Sequence, residues 1–307
     1  MKVFGAITLC CAALLLPAAM YAQSAQALIT ILPPVGSAPA AVNPQPGDLK
    51  LKVAGKATPV TSVVRAHGEE SPLELVILID GSLRSSIGTQ LESIGGFVKE
   101  MPSGSKTAIA YMQNGRAVFG GPLSADPNEV AAELRLPGGT AGSSGSPYFC
   151  LSDLAKHWPS YDARARREVV MITDGVDNYE ARYDPNDMYV QSAINDSVRA
   201  RLTVYAINWS TQGRVASLPG VSLGGQSHLA VVTEATGGMG FGLGMGNAVS
   251  FDSFFQEIRE RVRNQYIVTF AVPAGGKARI ADFKVKLAKG AGKLTAPDKV
   301  LIGPAGK

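Results

Sequence analysis

The chain has 307 residues, of which 46% are hydrophobic and 18% charged, with a formal net charge of +4. This balance supports a sizeable buried core and excludes a wholly disordered chain. The positive excess is small and dispersed, which argues against nucleic acid as a partner. Beyond the amino terminus, no segment is long and apolar enough to form a membrane helix.

Lys2, the apolar run from Val3 to Pro17 and the small residues around Ala18 to Ala22 read as a secretory signal. It is assigned to residues 1–27, with cleavage after Ala22 or after Ala27, an uncleaved anchor being the alternative. Cys10 and Cys11 fall inside this signal, so the mature chain keeps Cys150 alone and no intrachain disulfide forms. Between Phe149 and Leu151, that thiol reads as a small buried hydrophobe. Residues 28–48 carry Pro33, Pro34, Pro39, Pro44 and Pro46 and read as an extended linker. Residues 49–71 follow as a small β hairpin: Leu49 to Val53 alternates apolar residues with Lys50 and Lys52, Gly55-Lys56 turns, and Pro59 to Ala66 is β-like.

An α/β unit is expected over residues 72–264. Leu73 to Ile79 is continuously apolar and ends in Asp80-Gly81-Ser82, the pattern of a strand covered on both faces in a parallel sheet. Ile87, Leu91, Ile94, Val98 and Met101 lay one apolar stripe along a helix. Lys106 to Met112 and Arg116 to Phe119 flank Asn114-Gly115, a hairpin signal. A short helix is expected over 128–134, a Gly/Ser/Thr/Ala loop over 137–147 and a helix over 148–158. A second apolar strand, 168–173, ends in Asp174-Gly175. A polar loop, a helix from Met188 to Ala200 and a strand from Leu202 to Ile207 come next, then a long surface loop over 208–226. Helices are expected over 229–236 and, capped by Ser250, through Phe251 to Val262.

Residues 265–307 are expected to contribute the strands 266–272, 280–287 and 299–302. Phe283 to Leu287 repeats the apolar/lysine alternation of Leu49 to Val53. Neither segment suits the middle of a parallel sheet, where the lysines would be buried without counter-charges. Both are therefore assigned to a small antiparallel β subdomain in which residues 49–66 pair with 280–302. Lys50, Lys52, Lys284 and Lys286 then share one solvated face that discourages edge-to-edge pairing.

Within the sheet, the strand ending at Asp80 should lie beside the strand ending at Asp174, where the connection direction reverses. Ligands of open α/β sheets bind beyond such strand ends. Two carboxylates with hydroxyls nearby, and no His or Cys in the same loops, are hard oxygen donors suited to Mg²⁺ rather than Zn²⁺.

Asp80-Gly-Ser82 after its strand, the Gly/Ser/Thr loop opening a helix, and Ile172-Thr-Asp174-Gly-Val-Asp-Asn178 together resemble the von Willebrand factor type A domain over roughly residues 70 to 272. Gly145 to Phe149, Gln265-Tyr266, the signal and the preceding hairpin resemble in particular the acidobacterial von Willebrand factor A-related proteins. The resemblance implies a Rossmann-like, doubly wound, mostly parallel sheet and a metal-ion-dependent adhesion site. In the family's Asp-x-Ser-x-Ser loop, Asp80 and Ser82 match, but Arg84 stands at the third position and cannot ligate a cation. Ser146 matches the second-loop hydroxyl, with Thr140 as the alternative, and Asp174 matches the third-loop carboxylate. The implied cofactor is Mg²⁺ or Mn²⁺.

The expected function is an exported, periplasmic or secreted, non-enzymatic interaction or adhesion protein. Its unidentified protein partner would offer an acidic side chain to the cation. The alternative is a metal-free envelope scaffold in which Arg84 neutralises Asp80 and Asp174 as an internal ion pair. A serine hydrolase is more remote: Ser82, Asp174 and His228 occur in hydrolase order, but there is no Gly-x-Ser-x-Gly elbow. The glycine-rich loops 138–145 and 237–246 lack Gly-x-Gly-x-x-Gly and a Walker lysine, and read as connections rather than phosphate cradles. Trp158 and Trp209 read as packing residues.

Overall fold

The computed structural model describes residues 22–34, 42–139, 143–180, 183–210, 220–244, 246–273 and 277–303, with the backbone alone at 22 and 84–86. In chain order the elements are β1 (Ala22–Leu32), β2 (Leu49–Val53), β3 (Lys56–Thr58), β4 (Val60–Arg65), β5 (Leu73–Asp80), α1 (Leu91–Lys99), β6 (Lys106–Gln113) and β7 (Arg116–Phe119). Then come α2 (Pro127–Ala132), α3 (Pro147–Lys156), β8 (Arg166–Thr173), α4 (Met188–Ala200), β9 (Leu202–Asn208), α5 (Val221–Thr236), β10 (Gly240–Phe241), α6 (Asp252–Arg263), β11 (Gln265–Pro273), β12 (Arg279–Leu287), β13 (Lys293–Thr295) and β14 (Lys299–Ile302).

The α/β unit is built on a six-stranded sheet of order β10-β9-β8-β5-β6-β7, parallel except for β7. This is the doubly wound arrangement the sequence predicts. The unbroken apolar run of β5 is explained by its two faces. Leu75, Ile77 and Ile79 pack with Phe97 of α1 and Phe255 and Ile258 of α6. Val76 and Leu78 pack with Leu151 of α3, Ile194 of α4 and Val232 of α5. β5 lies between β6 and β8, with Ile79 opposite Ile172, so Asp80 and Asp174 emerge from neighbouring strand ends. Asn114 and Gly115 adopt φ of 48° and 74°, the positive values needed by the two-residue turn joining β6 and β7.

Three expectations change. The stripe beginning at Ile87 does not start an α-helix there. A 3-10 segment, Gly81–Gln90, precedes α1. Gln90 pins its end to the 249–251 segment, donating to the Val249 carbonyl and accepting from Phe251 N–H. The part of the expected 208–226 loop that is described from Val221 onward belongs to α5, whose glycines hid its first turns; residues 211–219 lie outside the described chain. Finally, Leu28–Leu32, assigned to the linker, is strand, and residues 35–41 of that linker lie outside the described chain.

β1 pairs with β11 from Ala22 opposite Pro273 to Thr30 opposite Gln265. Ala25, Ala27, Ile29 and Ile31 all face the core. Cleavage after Ala27 would remove the first half of this strand, whereas cleavage after Ala22 preserves nearly all of it.

The terminal segments form two four-stranded sheets, β13-β1-β11-β4 and β14-β12-β2-β3, packed through Phe270, Phe283, Val268, Ile29, Leu51 and Val300. The pairing of residues 49–66 with the carboxyl-terminal strands is present as β2 with β12 and β4 with β11. The two lysine-bearing strands are, however, the inner strands of their sheet. Lys52 stands opposite Lys284 and Lys50 opposite Lys286, all exposed, so protection of a sheet edge does not account for them.

Candidate functional site

The site begins with Asp80, whose position at the tip of a fully buried strand leaves it 1% exposed. Its Oδ1 accepts from the Ser82 N–H at 2.8 Å and from Ser82 Oγ at 2.6 Å; Oδ2 accepts from Thr173 Oγ1 at 2.7 Å. The carboxylate thus caps the 3-10 segment and ties β5 to β8. Gly81 is required because a Cβ there would lie 2.4 Å from the Met112 carbonyl oxygen.

The chain leaves β8 through a tight turn. Asp174 Oδ1 accepts from the Val176 N–H at 2.9 Å, and Gly175 N–H donates to Thr173 Oγ1 at 3.1 Å. Gly175 has φ of 72°, and a Cβ there would approach the Gly225 carbonyl oxygen to 2.5 Å. This contact explains why α5 carries glycine inside a helix: its backbone presses directly on the turn that presents Asp174.

Ser146 is the N-cap of α3, its Oγ accepting from the Tyr148 N–H at 3.3 Å. That Oγ donates to Asp177 Oδ2 at 2.7 Å, while Asp177 Oδ1 accepts from the Tyr179 N–H at 2.8 Å. Asn178 N–H donates to the Gly145 carbonyl, and Tyr148 OH to the Gly175 carbonyl at 2.7 Å. From the other side, Asn114 and Gly115 at the hairpin tip donate to the carbonyls of Ser143 and Ser144. Gly139 packs against Ser143 and against Gly81. Three loops therefore converge, holding Asp80, Ser82, Thr173 and Asp174 at the strand tips and bringing Ser146 in through Asp177.

Thr140, the alternative second-loop hydroxyl, lies outside the described residues, as does the Arg84 side chain. Asp177 and Thr173 were not selected from the sequence. The Asp174-Gly-Val-Asp177 spacing, with its second carboxylate, was the available signal for the first; the hydroxyl preceding Asp174 was the signal for the second. Ser143 and Ser144 carried no such signal; among the described residues their buried hydroxyls have no hydrogen-bond partner.

Burial pushes the Asp177 carboxyl above the ordinary aspartate range, with the hydrogen bonds from Ser146 and from the Tyr179 and Glu180 N–H groups pulling the other way. The Tyr148 phenol is pushed well up, by burial first and then by Asp177, Asp174 and Asp187. Cys150 is buried, its thiol pushed up by burial and by Asp80 and Asp153, which makes it unreactive.

The donor set suits a hard cation. Ser82 and Ser146 each direct their proton to a carboxylate, which leaves hydroxyl lone pairs for coordination, and the Ser143 and Ser144 hydroxyls, without partners among the described residues, lie in the loop that carries Ser146. Among the described residues no three His, Cys, Asp or Glu side chains form a metal-binding group. A cation here would rest on neutral hydroxyls as much as on charge, the chemistry of a weak site.

The hydrolase order is not assembled as a relay. Ser82 Oγ is bonded to Asp80, whereas His228 Nε2 lies 3.0 Å from the Asp184 carbonyl oxygen and its ring packs against Tyr148 and Tyr183. Trp158 Nε1 donates to Glu74 and Trp209 packs on Phe251, both buried. No helix among the described residues is long and apolar enough to cross a membrane.

No protein-family model matches the chain, and no curated protein matches it. Solved structures similar to it include von Willebrand factor type A proteins. One, from Catenulispora acidiphila, is 13% identical, covering 94% of this chain and 74% of that one with a TM-score of 0.42. A serine-substituted aerotolerance-related membrane protein from Bacteroides fragilis is 15% identical, covering 62% of this chain and 98% of that one with a TM-score of 0.44. The proximal thread matrix protein 1 of the mussel byssus, with a zinc-occupied adhesion motif, is 11% identical, covering 69% of this chain and 49% of that one with a TM-score of 0.45.

Proposed function

We propose that this chain is an exported, non-enzymatic interaction protein that docks a protein partner on the loop face at the carboxyl ends of β5 and β8. Mg²⁺ or Mn²⁺ would be held by Asp80, Ser82, Ser146 and Asp174, and would supply a Lewis-acidic position for a carboxylate of the partner. The observation that carries this reading is the paired orientation of Ser82 by Asp80 and of Ser146 by Asp177, two hydroxyls held rigidly by buried carboxylates.

The surrounding surface supports docking. Tyr179, Tyr183, Met188 and Leu223 are all exposed around the 177–188 loop and the start of α5, with Tyr179 braced against Phe149. Exposed aromatic and Met side chains on a rigid base are the side chains that protein partners bury. Export is supported by the amino-terminal signal pattern, and a cut after Ala22 would leave β1 able to complete the sandwich.

Thermal melts test the reading. Mg²⁺ should raise the parent's melting temperature, EDTA should reverse the rise, and Asp174→Ala should lose the response. Acetate, standing in for the partner's carboxylate, should add to the rise only when Mg²⁺ is present. A parent protein indifferent to both Mg²⁺ and Mn²⁺ would exclude the metal-dependent reading.

A further inference from the structure

The opposite end of the parallel sheet holds a cleft of about 540 Å³, within the size range of small-molecule sites. It lies roughly 23 Å from the Asp80 end, the span of an eight-residue strand. Its walls come from the β4–β5 connection, the 102–105 turn before β6, the start of β8 and the end of α6.

Its charge is one-sided. Among the described residues Arg65, Arg166 and Arg263 line it against one carboxylate, Glu69. Among the described residues neither Arg65 nor Arg263 is in an ion pair. Arg65 is held in place by donating from Nη2 to the Arg263 carbonyl at 2.8 Å.

The inner wall is more specific. Arg166 is 8% exposed, and its Nε donates to the Ser71 carbonyl at 3.3 Å while Nη1 donates to the Val262 carbonyl and to Gln265 Oε1. Among the described residues its Nη2 makes no hydrogen bond, and its nearest carboxylate oxygen, on Glu168, is 4.0 Å from Nη1. Beside it Ser71, 3% exposed and also lining the cleft, has a hydroxyl with no hydrogen-bond partner among the described residues. The Nη2 left over by Arg166, whose ion pair with Glu168 is a long one at 4.0 Å, and the Ser71 hydroxyl are donors that an anion in the cleft could use.

We propose that this cleft binds a small organic phosphate monoester, with the phosphate on Arg166 and Ser71 and with Arg65 and Arg263 flanking it. A dianion matches the surplus of guanidinium groups, and the volume exceeds what an inorganic ion needs, leaving room for an organic body. Burial pulls the Arg166 pKa below its ordinary value and Glu168 only opposes this, so a bound anion would relieve the desolvated charge.

The test is calorimetry on the full chain with glucose 6-phosphate, glycerol 3-phosphate and phosphoserine as probes, alongside inorganic phosphate and glucose. At least one monoester should bind with Kd below about 1 mM, inorganic phosphate at least about tenfold more weakly, and glucose not detectably. The double variant Arg65→Gln/Arg263→Gln changes two rim side chains, and circular dichroism should show it folded. It should weaken the monoester by about tenfold or more. The proposal is overturned if no monoester binds, if inorganic phosphate binds as tightly as the best of them, or if the folded double variant binds unchanged.

Discussion

Ser146 donates its hydroxyl hydrogen to Asp177 Oδ2 across 2.7 Å, joining the first residue of one helix cap to the loop that follows the neighbouring strand. Ser146 Oγ in turn accepts from the Tyr148 N–H, so one hydroxyl serves as helix cap, loop tie and candidate ligand. Ser146→Ala removes the cap and leaves a buried Asp177 oxygen without its donor, and should cost about 2 kcal/mol in denaturant unfolding. Ser146→Thr, which keeps the hydroxyl, should recover most of that loss.

Asp177 also sets a pH dependence. Burial raises its folded-state pKa, so its contribution to stability is fully present below the ordinary aspartate value and is lost as pH rises through the raised value. Asp177→Asn cannot ionise, and an amide can still accept from one neighbour. The variant should therefore gain stability relative to the parent as pH rises from acid to neutral without added metal. Melting temperatures of both proteins across that range check this, and parallel curves would contradict it.

Much of the α/β unit was legible because its strands are covered on both sides. Leu73 to Ile79 could only be a central strand, and Asn114-Gly115 could only be a tight turn. The segments misread were those whose composition answers to tertiary contacts. Gly224 and Gly225 look like a loop until Gly175 is placed against Gly225, a contact between residues fifty apart. Ala22 to Leu32 reads as the tail of a signal and the head of a linker until β11 is seen to need a partner. At the site, Asp80, Ser82 and Asp174 announced themselves at strand tips. Asp177 did not, because its role depends on a helix cap thirty-one residues earlier in the chain.

Gly175→Ala should be among the most damaging single-methyl additions to this protein. The backbone is at a positive φ of 72°, and the new Cβ would meet the Gly225 carbonyl oxygen at 2.5 Å and Leu229 Cγ at 2.7 Å. A loss of about 3 kcal/mol or more is expected, readable as a lowered midpoint in urea. A variant as stable as the parent would mean that α5 does not press on the turn.

The lysine pairs of the sandwich make an opposite prediction. Lys52 faces Lys284 and Lys50 faces Lys286 on exposed inner strands, and like charges directly opposed destabilise a sheet. Lys284→Glu should therefore stabilise the protein by about 0.5 kcal/mol at low ionic strength. The gain should shrink as salt screens the pair. Denaturant titrations at two salt concentrations are sufficient to measure it.

The central claim is that the strand-tip oxygens form a cation site, and calorimetric titration of Mg²⁺ and Mn²⁺ into the parent and into Arg84→Ser tests it most directly. Arg84 stands where the family pattern supplies a third hydroxyl, so restoring serine adds a donor and removes a positive charge from the same loop. The account predicts weak binding to the parent, with Kd roughly in the millimolar range, and binding strengthened about tenfold or more in the variant. Absence of binding heat from both proteins with both cations would contradict it.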